Sequence, residues 1–161
     1  MKDIFDFYIS PIVTWGLVIL GWLYISKQNN KTETRKEIRN AINHISKEIL
    51  NLNEVCISYL CEVSNTDKSK AAIKKEIEIK RSFDIIELKL KSISSIDEEF
   101  KDAENLLSKY NDKITGHIKF ENRGYNVVLP EDHKDIYELS LALKEFLEFL
   151  ENKFKESQIK K

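Results

Sequence analysis

The side chains best suited to chemistry are the thiols, imidazoles and adjacent carboxylates, and their spacing fits none of the usual devices. Cys56 and Cys61 stand five residues apart. On a helix that separation carries them to different faces, which suits neither a zinc knuckle nor a CxxC redox pair. His44, His117 and His133 are scattered, with no HExxH and no i, i+4 pair. Glu98 with Glu99, and Glu131 with Asp132, would serve acid–base work in a cleft. Each pair falls where a helix is expected to begin, however, and acids belong there to complement the dipole. The sequence holds no glycine-rich phosphate loop, no GxSxG elbow and no HxE with a downstream PCxxC. Turnover is therefore not expected, nor any metal or cofactor.

The elements that carry these residues follow from composition and periodicity. Lys and Arg number 26 against 27 Asp and Glu in 161 residues, so no global field selects nucleic acid as a partner. Only four Gly and two Pro are present, which leaves few places for tight strand turns. Abundant Lys, Glu, Ile and Leu suit long helices instead, and the expected fold is all-α.

Between Asp6 and Lys27 there is no charged residue. About twenty residues at 1.5 Å each match a bilayer's hydrocarbon core, and this run is expected to form one transmembrane helix over 10–26. Nine of its residues are Ile, Leu or Val, contributing roughly −3 to −5 kcal/mol before Pro11, Gly16, Gly21 and the hydroxyls are set against them. Ser10 and Pro11 read as an N-cap and first helical position, with 1–9 as a short interfacial segment. Trp15 and Trp22 lie within the span. A cleavable signal peptide fits poorly, because Lys2 is offset by Asp3 and Asp6 and the run ends "GWLYIS".

Lys27, Lys31, Arg35, Lys36 and Arg39 follow the span, against Lys2 before it. This basic collar predicts the inner membrane of a cell, with the N-terminus outside and the rest of the chain cytoplasmic. The lipid bilayer is thus the first expected partner.

After a basic connector, 27–33, Thr34-x-x-Glu37 reads as a capping box, so a helix either starts here or runs on unbroken from the span. Ile38, Ile42, Ile45, Ile49 and Leu52, continued by Cys56, Tyr59 and Val63, then alternate four and three apart, the seam of a coiled helix. "SNTDKSK" breaks the pattern, and Ile79, Phe83, Ile86, Leu90 and Ile93 resume it. A second capping box, Ser95-x-x-Glu98, opens a third helix with Phe100, Ala103, Leu107, Tyr110 and Ile114 inward. Pro130 opens a fourth, with Ile136, Leu139, Leu143, Phe146 and Leu150 inward. The expectation is an antiparallel bundle over 34–157, with helices near 34–63, 69–94, 96–115 and 131–155.

The segment 116–130 differs in character. Tyr125, Val127 and Val128 lean toward strand and "NRG" suits a tight turn, so it reads either as a small hairpin or as a loop whose aromatics cap the bundle. His117, Arg123 and Tyr125 are its candidate recognition residues, since exposed loops commonly carry such points.

This body plan points to interaction: the bundle would self-associate or bind a protein partner. One reading is a small bacterial membrane effector or accessory of an anti-phage defence or toxin system, which perturbs the bilayer when released or clustered. The other is a tethered scaffold that localises a cytoplasmic partner.

Overall fold

A computed structural model describes residues 10–63, 70–125 and 127–159, with side chains described within 15–157. Among the described residues there are four helices and no strand: α1 Ser10–Cys61, α2 Lys70–Ile96, α3 Asp102–Thr115 and α4 Lys134–Ile159. One turn of 3-10 helix, Glu98–Phe100, leads into α3. The expected N-terminal segment 1–9 and nearly all of the "SNTDKSK" interruption lie outside the described residues. The chain divides into two units, Met1–Glu37 and Ile38–Lys161.

The second unit is the bundle. Its core takes the heptad positions of all four helices, from Ile38 through Leu52 and Tyr59 to Phe146 and Leu150. Polar contacts fix the directions of the helices. Tyr59 meets Glu76 and Glu48 meets Lys89, so α2 runs antiparallel to α1. Lys113, in the last turn of α3, pairs with Glu138, in the second turn of α4, so the long 116–133 connection brings these two helix ends together. Arg39 donates twice to Glu151 at 2.9 Å and lies 5.0 Å from the centre of the Phe154 ring. Side chains at 39 and 151 meet only if α4 returns toward the early turns of the bundle part of α1.

Several expected boundaries move, each for a local reason. No break occurs at 27–33, where α1 is continuous. The Thr34 hydroxyl donates to the Asn30 carbonyl, as Thr32 does to Gln28, so both bond back within an existing helix. Ser95 likewise donates to Ser92, and Asp97 caps the following turn by accepting from the Glu99 amide. At α4 the start slides from Pro130 to Lys134. There the His133 ring nitrogen Nδ1 accepts the Asp135 N–H, which leaves Glu131 and Asp132 in a preceding turn. The hairpin alternative for 116–130 is not formed: its described residues make turns and irregular backbone, with no strand among them.

The transmembrane helix expected at 10–26 is not supported, because no helix among the described residues is long and apolar enough to cross a membrane. Gly16, Gly21, two Trp and a Tyr dilute the aliphatic residues between Trp15 and Ser26.

Candidate functional site

The densest polar assembly lies where the 116–130 loop crosses the ends of α1 and α2. Glu76 occupies an inward position of α2, four residues after buried Ala72 and three before buried Ile79, and is 3 % exposed. An acid so placed requires partners. Arg123 supplies two arms, Nη1 to Oε1 at 2.6 Å and Nη2 to Oε2 at 2.5 Å. The Tyr59 hydroxyl lies 2.7 Å from Oε1, and the Glu121 amide donates to the same oxygen. Burial pushes the Glu76 carboxyl up, but the hydrogen bonds from Arg123 and Tyr59 outweigh it, and the net result lies below the usual carboxylate value. Tyr59 moves the opposite way, raised by burial and by the adjacent carboxylate.

Lys119 is wholly enclosed. Its ammonium donates to the Leu60 carbonyl at 2.8 Å, where the amide of Leu129 also donates. The loop thus supplies two donors to the Leu60 carbonyl, in the last turn of α1 where helical partners run out. Desolvation lowers the Lys119 pKa. Phe120 completes the closure, standing edge-on to Tyr59 at 5.8 Å between ring centres. Glu121 is forced to φ 57°, the left-handed region.

A second contact fixes the start of the loop. His117 Nδ1 accepts the Lys119 amide, so its N–H is on Nε2, directed at Asp135 Oδ2 3.0 Å away. His133 also approaches Asp135, at 3.6 Å, but its Nδ1 already accepts the Asp135 amide. Both Nδ1 lone pairs are therefore occupied. Among the described residues no group of three or more His, Cys, Asp or Glu is arranged to hold a metal ion.

The three loop residues expected to recognise a partner are brought together, but they face inward duties. Arg123 is held by Glu76, the His117 side chain is 8 % exposed, and Tyr125 stands edge-on to His117 at 6.3 Å. The seam residues Ile38, Ile42, Ile45, Ile49 and Leu52 are buried. Of the collar, Arg39 is committed to Glu151, whereas Lys27, Lys31, Arg35 and Lys36 make no ion pair among the described residues. Trp15 and Trp22 are two of nine large apolar side chains between Trp15 and Ile25 that are 51 to 70 % exposed. Gly16 and Gly21 face open space, and the side chain of Pro11 lies outside the described residues.

Sequence reasoning missed Glu76, Tyr59 and Lys119 as a set. The signal for Glu76 was available: the run Ala72, Glu76, Ile79, Phe83 keeps the four-three spacing, and an acid in that register demands a buried partner. Chemically the assembly holds charge and closes a loop, with the Glu76 carboxylate favoured in its ionised form and the Tyr59 hydroxyl in its protonated form. The Cys56 thiol beneath it is likewise inert, pushed by burial up to about 12. No protein-family model, no curated protein and no solved structure matches this chain.

Proposed function

We propose that the chain is a membrane-anchored helical interaction protein, with an N-terminal helix held in the bilayer and a cytoplasmic bundle that engages a protein partner. One observation carries the reading: the nine large apolar side chains between Trp15 and Ile25 are exposed around the whole circumference of α1. A helix apolar on every side is stable in lipid or inside a protein, not in water. In the sequence the uncharged run lies between Asp6 and Lys27, a number of residues that suits one bilayer crossing. Lys27, Lys31, Arg35 and Lys36, exposed or half-buried and without ion pairs among the described residues, suit the cytoplasmic headgroups.

Extraction of membranes with alkaline carbonate tests this directly. The full chain should remain in the pellet, and a variant with Leu17, Ile19, Leu20 and Leu23 changed to Ser should be released. Release of the unmodified chain would overturn the reading.

In its finer form the protein is an effector or accessory of a defence or toxin system, silent until its bundle is freed and then perturbing the bilayer. The scaffold form asks only that the anchor localise the bundle. Exchanging Tyr8 to Ser26 for an unrelated apolar helix separates them: loss of toxicity or defence with localisation intact supports the effector, and retained activity supports the scaffold.

A further inference from the structure

We infer that one face of α1 binds an anionic phospholipid, its headgroup held by Lys27, Lys31 and Arg35, which rests on the reading of the apolar run as a bilayer anchor. Leu17, Leu20, Tyr24, Lys27, Lys31 and Arg35 follow one another at intervals of three, four, three, four and four. On a continuous helix that turns about 100° per residue, all six fall within an arc of about 80°. The first three are 63 to 70 % exposed, Lys27 and Lys31 are exposed and Arg35 is half-buried. A single stripe therefore changes from apolar to cationic along its length.

The placement of the acids singles this face out. From Lys27 to Glu37 the only carboxylates are Glu33 and Glu37. Neither stands three or four residues from Lys27, Lys31 or Arg35, the spacings at which side chains on a helix meet. Glu33 is two residues from both Lys31 and Arg35, and Glu37 is two from Arg35, a spacing that points across the helix. Lys36, three residues from Glu33, stands on that acidic side instead. No cation of the stripe makes an ion pair among the described residues.

The geometry suits a phosphate at the edge of the hydrocarbon. Lys27 comes two residues after Ile25, and Lys31 and Arg35 follow at steps of about 6 Å along the axis. Side chains on a helix lean toward its N-terminus, so those of Lys31 and Arg35 lean back toward the apolar run. A lipid whose chains rest on Leu17, Leu20 and Tyr24 has its phosphate at that level. A zwitterionic headgroup brings its own ammonium and offsets the attraction, whereas an anionic one does not. Orientation by itself needs only the number of cations beside the span and does not require them on one face. A nucleic acid fits worse, because the apolar half of the stripe offers nothing to a phosphate backbone.

The test is fluorescence quenching of the full chain in vesicles of phosphatidylglycerol and phosphatidylcholine in equal parts, with bromine on the chains of one lipid or the other. Tyr24→Trp with Trp15→Phe and Trp22→Phe sets one reporter on the stripe. Trp15→Phe alone keeps Trp22, five residues before Lys27 and across the helix from the stripe, as the second. The stripe reporter should give a relative binding constant of about five in favour of phosphatidylglycerol, and Trp22 a value near one. Lys31→Gln should lower the stripe value at least about twofold, while Lys36→Gln, which removes the same charge from the other side, should not. Equal constants at the two reporters, or equal losses from Lys31→Gln and Lys36→Gln, overturn the inference. So does binding of a single-stranded oligonucleotide to the detergent-solubilised chain that Lys31→Gln removes. If neither brominated lipid quenches either reporter, the anchor fails and the inference with it, a pattern distinct from equal quenching by both.

Discussion

Glu76 stands where the heptad would place a leucine, and two of its hydrogen bonds come from a residue 47 positions later in the chain. Removing its charge takes away the carboxylate that both arms of the Arg123 guanidinium grip, although Arg123 is 29 % exposed and can turn to water. Glu76→Gln should therefore cost about 2 kcal/mol, measured by urea unfolding near neutral pH. The pH dependence has a definite sign. The folded carboxyl titrates below its ordinary value of 4.5, so its contribution is full above that value and is lost as pH falls through the folded value. The stability gap between the unmodified chain and Glu76→Gln should accordingly be flat near pH 7 and should shrink in acid. A gap that widens in acid would contradict the arrangement. Glu121 offers the converse case. Its positive φ costs about 1–2 kcal/mol, more than glycine's added chain entropy, and its ion pair with Lys80 is half exposed and worth little. Glu121→Gly should leave stability unchanged or raise it by up to about 1 kcal/mol, whereas Glu121→Val should lower it. Of these residues only Glu76 was legible beforehand, through its register. Nothing near Lys119 in sequence marks it for burial, because its partner, the Leu60 carbonyl, is set by three-dimensional closure.

At the scale of elements the periodicity was highly informative and the boundary motifs were not. Apolar spacing located the inward face of every helix, since that face depends only on residues three and four apart on the same element. Capping motifs depend on whether orphan amides exist at all. Thr34-x-x-Glu37 has the right residues but lies within α1, where amides already have helical partners. Ser95-x-x-Glu98 lost its role to Asp97, which sits in extended geometry at φ −142° and accepts from Glu99. The contrast makes a measurable prediction. Asp97→Ala should cost about 1 kcal/mol, the usual worth of an N-cap, while Thr34→Ala and Ser95→Ala should each stay within about 0.5 kcal/mol of the unmodified chain. Thermal unfolding of the three variants checks it, and equal losses would mean that the sequence motifs, not the observed caps, govern these starts.

For the whole molecule, the sequence displayed its lipid-like run and basic collar plainly, because charge and hydropathy need no knowledge of contacts. It did not reveal that the collar divides by role. Arg39 belongs to the bundle through Glu151 and Phe154, so the proposed orientation rests on Lys27, Lys31, Arg35 and Lys36 alone. The proposed topology can therefore be inverted without touching the core. An impermeant maleimide is the readout, but Cys61 is a poor target, since desolvation and the nearby Glu131 raise its thiol and keep it protonated. A cysteine in place of Lys134, whose side chain is 81 % exposed, reports better. With the collar intact, the maleimide should reach it only after the cells are opened. With Lys27, Lys31, Arg35 and Lys36 changed to Gln and Asp3 and Asp6 changed to Lys, it should be labelled from outside, because the excess of cations then lies before the span. Labelling of the unmodified collar in intact cells would reverse the proposed orientation. If the charge exchange leaves labelling unchanged, the collar is not what sets it.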